Sequence, residues 1–597
     1  MNSDSISPRG AAVLAGLLAL LVSVPFCLPF HFYPDADFIS QTSAFVLALA
    51  ILLAGIACLP RLQVGLFDLG LLAFAALIYV AGDGAPAQVG FVVVLVAGVL
   101  GIVLRSTVAL GSRKLLVDAL MLGVMAGALF NLLAGAIQLY GLEWAFPGYV
   151  FSDNRPDELN VVGNIAQRNL FCSYVFIGFM AFGLARLKRG GSLFVLALLS
   201  LPVGLLLAAS GSRSILLYLF WGVIASIVWF VCWGRRHPHG QRYLAFFILI
   251  ALGFLATQWA LGWLVPNAVS GVERAAAGES IRLAEWSKAW QIIQHSFPAG
   301  VGWWRYAPNS FLVQLQGASQ AAADNNWSHA HNIFLNLFAE LGLAALLPVM
   351  VMLVLVLQVM AAPRKEGGWL FLFVTFGVLF IHSNLEFPLW YVWGLYLFVS
   401  VAAMVPAKSV VSYVPTAWMR GVTALIVVSA LGFSAWSLDG FVRLVRYTAP
   451  TSDQQVNIQR LREMSRLAAN PLLTYSSDLV SLGYLRPGQS PLLFCRLVDL
   501  NYVLPGPELL DHMALEALLR GEREFALSVI RSRYRVYPGI DDKLLQRNLA
   551  EFLRDKDESL RGEIAQAKSG VFDFSKSYQL QIPQRCLKTT EVALTAR

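Results

Sequence analysis

Charge is what this sequence has least of. Asp, Glu, Lys and Arg make up 13% of its 597 residues, against 57% hydrophobic. A chain this poor in charge cannot keep the surface of a wholly soluble protein wetted, so that class is excluded. Cysteine is scarce too: there are six, with no C-x-x-C pair, which argues against a zinc or redox motif. Internal repeats are missing. One faint helix-hairpin unit at Gly521–Leu527 and Tyr537-Pro538 does not make a repeat fold, which needs several. The net charge of +8 implies no nucleic-acid partner, because the basic residues of the apolar region sit mostly in the loops between its runs, where they hold the topology.

Those runs are what is there. Stretches of about 20 apolar residues, the length that crosses a bilayer core, recur through the first three quarters of the chain. About thirteen are countable, near residues 11–30, 42–60, 64–82, 88–105, 115–140, 167–186, 192–209, 213–233, 243–265, 332–361, 368–384, 386–406 and 417–438. The first lacks a small-residue cleavage site and reads as a retained span. Basic residues, among them Arg9, Arg61, Arg105, Arg113, Arg186, Arg235, Arg242, Arg364, Lys408 and Arg420, fall in alternate loops. The positive-inside rule then places those loops and the N-terminus in the cytoplasm, and an odd span count places the tail outside. The expected fold is an all-α polytopic membrane protein. Residues 1–438 form its membrane domain, with a large outer loop at 266–330, and 439–597 form a soluble, mainly helical domain.

This topology gathers five of the eight histidines (His31, His295, His329, His331 and His382) near the outer surface. The densest stretch is Asn325–Gly342, with His329 and His331 before an apolar helix. Asn332, Asn336 and Glu340 follow at helical spacing and share one face. Polar groups entering a membrane helix are expensive unless they line a wet cavity or a site. The plainer account is a helix start, capped by Ser328 or Asn332, with both histidines solvated. Upstream, Glu279–Gln294 reads as an amphipathic helix with Leu283, Trp286, Trp290 and Ile293 on its apolar face. Arg282, Glu285 and Lys288 lie elsewhere on the wheel. Such a helix beside a membrane ordinarily lies in the interface.

Three outward arginines stand against the charge rule: Arg168 at a span entrance, Arg213 in the hairpin Ser210-Gly-Ser-Arg-Ser214, and Arg282. A single one would be a snorkelling side chain. Three, with serine and glycine around Arg213, point to an anionic substrate such as a diphosphate, which the forked guanidinium suits.

Several motifs resemble the PglL-type bacterial O-oligosaccharyltransferases of the O-antigen ligase superfamily. His31-Phe-Tyr-Pro34 resembles an opening H-x-x-P, and Gly163-Asn164-x-x-Gln167-x-Asn169 a G-N-x-x-Q-P-N with Arg168 in the proline's place. Ser212-Arg213-Ser214 resembles S-R-[TS], and Arg282-x-x-x-Trp286 followed by Gly300-Val-Gly-Trp303 the region before the large loop. His331-Asn332-x-x-Leu335-x-x-x-x-Glu340-x-Gly342 is similar to H-N-x-x-L-x-x-x-x-E-x-G, and His382-Ser-x-x-Glu386-Phe-Pro-Leu-Trp-Tyr391 to H-S-x-x-E-[YF]-P-L-W-Y.

The resemblance implies transfer of a preassembled glycan from undecaprenyl diphosphate to serine or threonine of a periplasmic protein such as pilin. The enzyme would sit in the bacterial inner membrane. It implies His331 as catalytic base and Arg213 and Arg282 as diphosphate-binding residues; Arg168, in the proline's place, joins that set on the charge argument alone. His31, Gln167, Asn169, Asn332, Glu340, His382 and Glu386 would be supporting residues. No metal or other cofactor is expected, since a lipid-diphosphate donor does not demand one. The partners would be the lipid-linked glycan, the acceptor protein and membrane lipid. An O-antigen ligase giving the glycan to lipopolysaccharide core is the nearest alternative, then a glycan polymerase, then a transporter. A transporter would show midplane charges and paired repeats, neither of which is visible. Cys495 and Cys586, outside the apolar runs, could pair in a periplasmic tail.

Overall fold

The computed structural model describes residues 6–152, 161–265, 272, 281–317, 326–362, 367–485, 487–488, 491–540, 546 and 558–568. The helices run in chain order α1 (Pro8–Leu21), α2 (Val24–Cys27), α3 (Phe38–Cys58), α4 (Leu66–Ala81), α5 (Gly84–Thr107), α6 (Arg113–Leu139), α7 (Arg168–Lys188) and α8 (Leu193–Ala209). Next come α9 (Ser214–Cys232), α10 (Gly240–Leu264), α11 (Ile281–Ser296), α12 (Tyr306–Leu315), α13 (Ile333–Leu341), α14 (Leu346–Ala361), α15 (Gly367–Ser383), α16 (Val392–Met404) and α17 (Ala417–Arg446). The tail adds α18 (Gln454–Leu467), α19 (Thr474–Ser481), α20 (Pro491–Val503), α21 (Pro507–Leu519), α22 (Arg523–Val536) and α23 (Glu558–Lys568). All the apolar runs read from the sequence fall on helices. Among the described residues, eight helices are long and apolar enough to cross a membrane, with the 56 residues Gly84–Leu139 counted as one, and four shorter apolar helices accompany them.

Two compact units emerge. The first comprises Met1–Leu77, Gly90–Glu279 and Leu346–Leu438; the second comprises Ile78–Val89, Ser280–Ala345 and Asp439–Arg597. The tail thus groups with the segment that carries His331.

In the first unit, basic residues bind one set of loops. Arg105 forms a buried ion pair with Asp68 at 2.6 Å, and Arg113 donates to the Met404 carbonyl. Arg420 donates to the carbonyls of Ile56 and Leu59. Beside them lies the one departure from an all-α chain among the described residues. Here β1 (Leu62–Gly65) pairs antiparallel with β2 (Ser409–Tyr413), Val64 opposite Val411, with a register shift at Gly65. Every partner belongs to a loop, or a span end, that the charge pattern assigns to the same side.

In the second unit, Phe311 of α12 is buried in the core of the tail, with Leu497, Leu510, Met513, Ile530 and Val536. That core also holds a buried Arg533–Asp511 pair at 3.1 Å. Tyr537 donates to the Pro505 carbonyl at 2.6 Å, and so does Asn326, from beside His331, at 3.2 Å. Cys495 is disulfide-bonded, Cys586 lies outside the described residues, and Cys27, Cys58, Cys172 and Cys232 are free thiols.

Candidate active site

The candidate residues fall into two constellations, one in each unit. The first is a junction centred on Asn169, in the first turn of α7. Its amide donates to Glu386 Oε1 at 2.7 Å, and its carbonyl oxygen accepts from Ser212 Oγ at 2.5 Å. One buried side chain therefore ties together the motifs at 163–169, 212–214 and 382–391. Gln167 caps α7 by accepting from the Leu170 amide. Asn164 donates to the carbonyls of Cys27 and Tyr149, and its own carbonyl accepts from His31 Nε2 at 2.8 Å. Burial holds His31 below the usual imidazole range, which suits a neutral ring donating from Nε2. His382 is fully buried and bonded to Ser173 Oγ at 3.0 Å. With Tyr174 and Trp393 it lines a small cavity.

Arg213 and Arg168 are partly exposed, on either side of this junction in sequence. The serines flanking Arg213 differ from expectation. Ser210, Ser212 and Ser214 are buried, and the Ser212 amide is engaged by Ser210 Oγ at 3.3 Å. Ser212 and Ser214 face Asn169 Oδ1, and Ser210 donates to the Leu207 carbonyl at 2.7 Å.

The second constellation is the turn before α13. The three polar residues of the expected stripe have three separate tasks, and Asn336 and Glu340 are buried. Asn332 is the N-cap, accepting from the Phe334 and Leu335 amides at 3.1 Å each. Asn336 accepts from the Ala330 amide at 3.0 Å. Glu340 accepts from the amides of Trp304 and Tyr306. The stripe thus holds two loops against α13. Backbone bonds complete it: Val301 donates to the Ala339 carbonyl at 3.0 Å, Gly302 to that of Glu340 at 2.8 Å, and Leu343 to that of Pro298 at 2.8 Å. Such close approach needs glycine. A Cβ on Gly300 would lie 2.4 Å from the Glu340 carbonyl oxygen, and one on Gly342 would lie 2.1 Å from that of Pro298.

The scaffold holds two bulky residues in the left-handed region, Trp304 at φ +65° and His331 at φ +52°. Such strain persists only where the surroundings over-determine it, and it clusters at functional sites. His331 Nδ1 lies 3.1 Å from the His329 carbonyl oxygen. A carbonyl only accepts, so Nδ1 carries the proton and Nε2 is the basic nitrogen. Both histidines are buried, His329 to 5% and His331 to 8% exposure, so the solvated reading of the pair is overturned. Burial, aided by His331, pushes His329 down to about 3, and its Nδ1 is bonded to Ser328 Oγ at 2.7 Å.

On helix α11 the face turned into the protein carries the charged residues. Ala284, Glu285, Lys288, Ala289 and Ile292 are buried, whereas Leu283 and Trp290 are 63% and 54% exposed. Glu285 and Lys288 form a fully buried ion pair at 2.6 Å. Glu285 Oε1 also accepts from Tyr306 Oη at 2.9 Å and Ser310 Oγ at 3.1 Å. Tyr306 thus links α11 to Glu340, while Arg282, one turn before Glu285, stays partly exposed.

Sequence reasoning missed Asn131 and Gln138, whose side chains bond the backbone of Asn164 and of Val162 and Gly163. Their spacing of seven on an apolar helix was the available signal. It also placed Asp35 and Asp37 on the outer side while expecting no Asp-x-Asp pair in the outward loops, and Asp35-Ala36-Asp37, just before α3, is such a pair. Burial pushes both carboxyls up, Asp37 to about 7 with Asp35 beside it. Among the described residues no group of three potential ligands is placed to hold a metal ion.

Comparison with known proteins adds three findings. Residues 193–350 match the O-antigen ligase family model, and residues 370–549 match that of the virulence factor membrane-bound polymerase C-terminal region. A general O-oligosaccharyltransferase of Acinetobacter baylyi is 27% identical over 448 residues, covering 69% of this chain and 74% of that protein. No solved structure matches. The first match contains Arg213, Arg282, His331 and Glu340, and the second contains His382 and Glu386. By these matches the chain carries an O-antigen ligase region at 193–350 and a polymerase C-terminal region at 370–549, and over most of its length it is similar to an O-oligosaccharyltransferase.

Proposed function

We propose that this protein transfers a preassembled glycan from undecaprenyl diphosphate to a serine or threonine hydroxyl of a periplasmic protein, pilin being the first candidate. It would act in the bacterial inner membrane with its candidate site facing the periplasm. The observation that carries the protein-acceptor reading is the likeness to an O-oligosaccharyltransferase across more than two thirds of the chain. The acceptor oxygen attacks the anomeric carbon as its proton passes to His331 Nε2. The bond from that carbon to the diphosphate oxygen breaks, and the diphosphate leaves with the electron pair. Arg213 and Arg282, with Arg168 beside the junction, hold the negative charge that develops. A metal ion has no assigned step, and transfer should persist in excess chelator. The strained turn supports the role of His331, because it fixes one tautomer.

A ligase giving the glycan to lipopolysaccharide core is the second reading, favoured by the match over residues 193–350. Co-expression with a lipid-linked glycan pathway and a candidate pilin, followed by intact mass measurement, separates the two. A glycan mass on pilin is expected. Glycan on lipopolysaccharide core alone would sink the protein-acceptor reading.

A further inference from the structure

We propose that Trp304 and Trp327 form a sugar platform beside His331, taking the pyranose ring at the reducing end of the glycan; this rests on the transferase reading above. The two rings flank the same turn. Trp327 lies with its centroid 3.9 Å from the His331 ring, and Trp304 stands edge-on to His329 at 5.4 Å. Its neighbour Trp303 is buried, yet Trp304 stays 37% exposed. It does so in a backbone conformation that bulky residues avoid, with its amide bonded to the Glu340 carboxylate. A ring held out at such conformational cost has a use outside the fold.

The chemistry of the turn selects the ligand class. A pyranose has an apolar C–H face and a rim of hydroxyls, so it stacks on an indole while its edge finds polar partners. Here two indoles alternate with Ser328, His329 and His331. A lipid tail fits an unbroken apolar surface better. An anion fits a cationic one, and His329 is held neutral here by burial. A sugar stacked on this platform has its anomeric carbon beside the ring that takes the proton.

The test uses the purified full-length protein and soluble donor analogues. Dissociation constants are measured for farnesyl diphosphate and for farnesyl diphosphate bearing N-acetylglucosamine or galactose. The sugar-bearing compounds should bind about tenfold more tightly than farnesyl diphosphate. Trp304→Gly should abolish that advantage, and Trp304→Phe should keep most of it. Glycine adopts φ +65° without strain, so the glycine variant removes the ring while sparing the backbone. Equal affinities in the native protein, with farnesyl diphosphate bound, overturn the platform alone. An advantage that survives Trp304→Gly overturns it as well. Equal weakening of all compounds by Trp304→Gly marks the ring as a lipid contact and overturns the sugar assignment. If farnesyl diphosphate does not bind the native protein, the transferase reading falls and takes the platform with it.

Discussion

The Asn169 junction joins side chain to side chain, whereas the His331 turn joins side chain to backbone. In the first, one amide satisfies Glu386 and Ser212 from distant parts of the chain, and no residue is strained except Ala166, at φ +60° on the approach to α7. In the second, Asn332, Asn336 and Glu340 all accept from main-chain amides, and the chain they hold is strained at two bulky residues. Side-chain junctions fix which helices meet. Backbone clamps fix where a loop side chain is held, at a precision that helix packing alone does not give. Motif residues in both places are mostly scaffold, and few are left to act on a substrate.

The sharpest way to break the comparison is through the buried ion pair beneath the turn. Lys288→Met leaves the Glu285 carboxylate buried without its cation and should lower stability by about 3–5 kcal/mol. Adding Glu285→Gln keeps an acceptor for Tyr306 and Ser310 and should restore most of that loss. Thermal unfolding in detergent reads both; identical single and double variants would mean the pair is not charged.

Chemistry separates the two regions next. His331→Ala should reduce glycan transfer by about a hundredfold or more while donor binding survives, measured as glycosylated acceptor at equal membrane expression. His329→Ala should instead lower the amount of folded protein, leaving transfer per folded molecule near native. The reverse pattern would move the base to His329.

Smaller effects probe the scaffold itself. Asn169→Ala removes the shared partner of Glu386 and Ser212, at a cost of about 1–3 kcal/mol. Asn332→Ala removes only a helix cap, at about 1 kcal/mol, and Asn332→Asp, which keeps the acceptor, should be near neutral. If Asn332→Ala proves the costlier of the two, the junction is the weaker element. The least effect at neutrality is the pH dependence from His329. Its folded-state value of about 3 lies below the usual 6.5, so the folded protein binds fewer protons than the unfolded one between them. The stability it contributes is complete above pH 6.5 and is lost as pH falls toward 3. His329→Gln should flatten that part of the unfolding curve, and an unchanged slope would show that the ring takes up its proton while folded.

The helices were legible because an apolar run of that length has few alternatives, and the motif positions because their spacing is linear information. Which face of α11 is buried was not legible. Helical periodicity ranks faces by apolarity, and here a charged pair that satisfies itself, with Tyr306 and Ser310, lies inward while Leu283 and Trp290 lie outward. The roles of Asn336 and Glu340 were hidden for a related reason. Their partners are backbone amides of other loops, and a main chain leaves no mark in a sequence pattern. Leu283 and Trp290 face outward on α11, as they would on a helix lying in the interface.

The ribbon between β1 and β2 bears on how the protein is made. Its paired strands lie about 350 residues apart in sequence. As the chain emerges and inserts, β1 must wait through the synthesis of most of the membrane helices before its partner exists. Until then its backbone groups form an open edge, of the kind that pairs with other chains. A chain ending before residue 409 therefore lacks both β2 and α17, and leaves β1 without its partner.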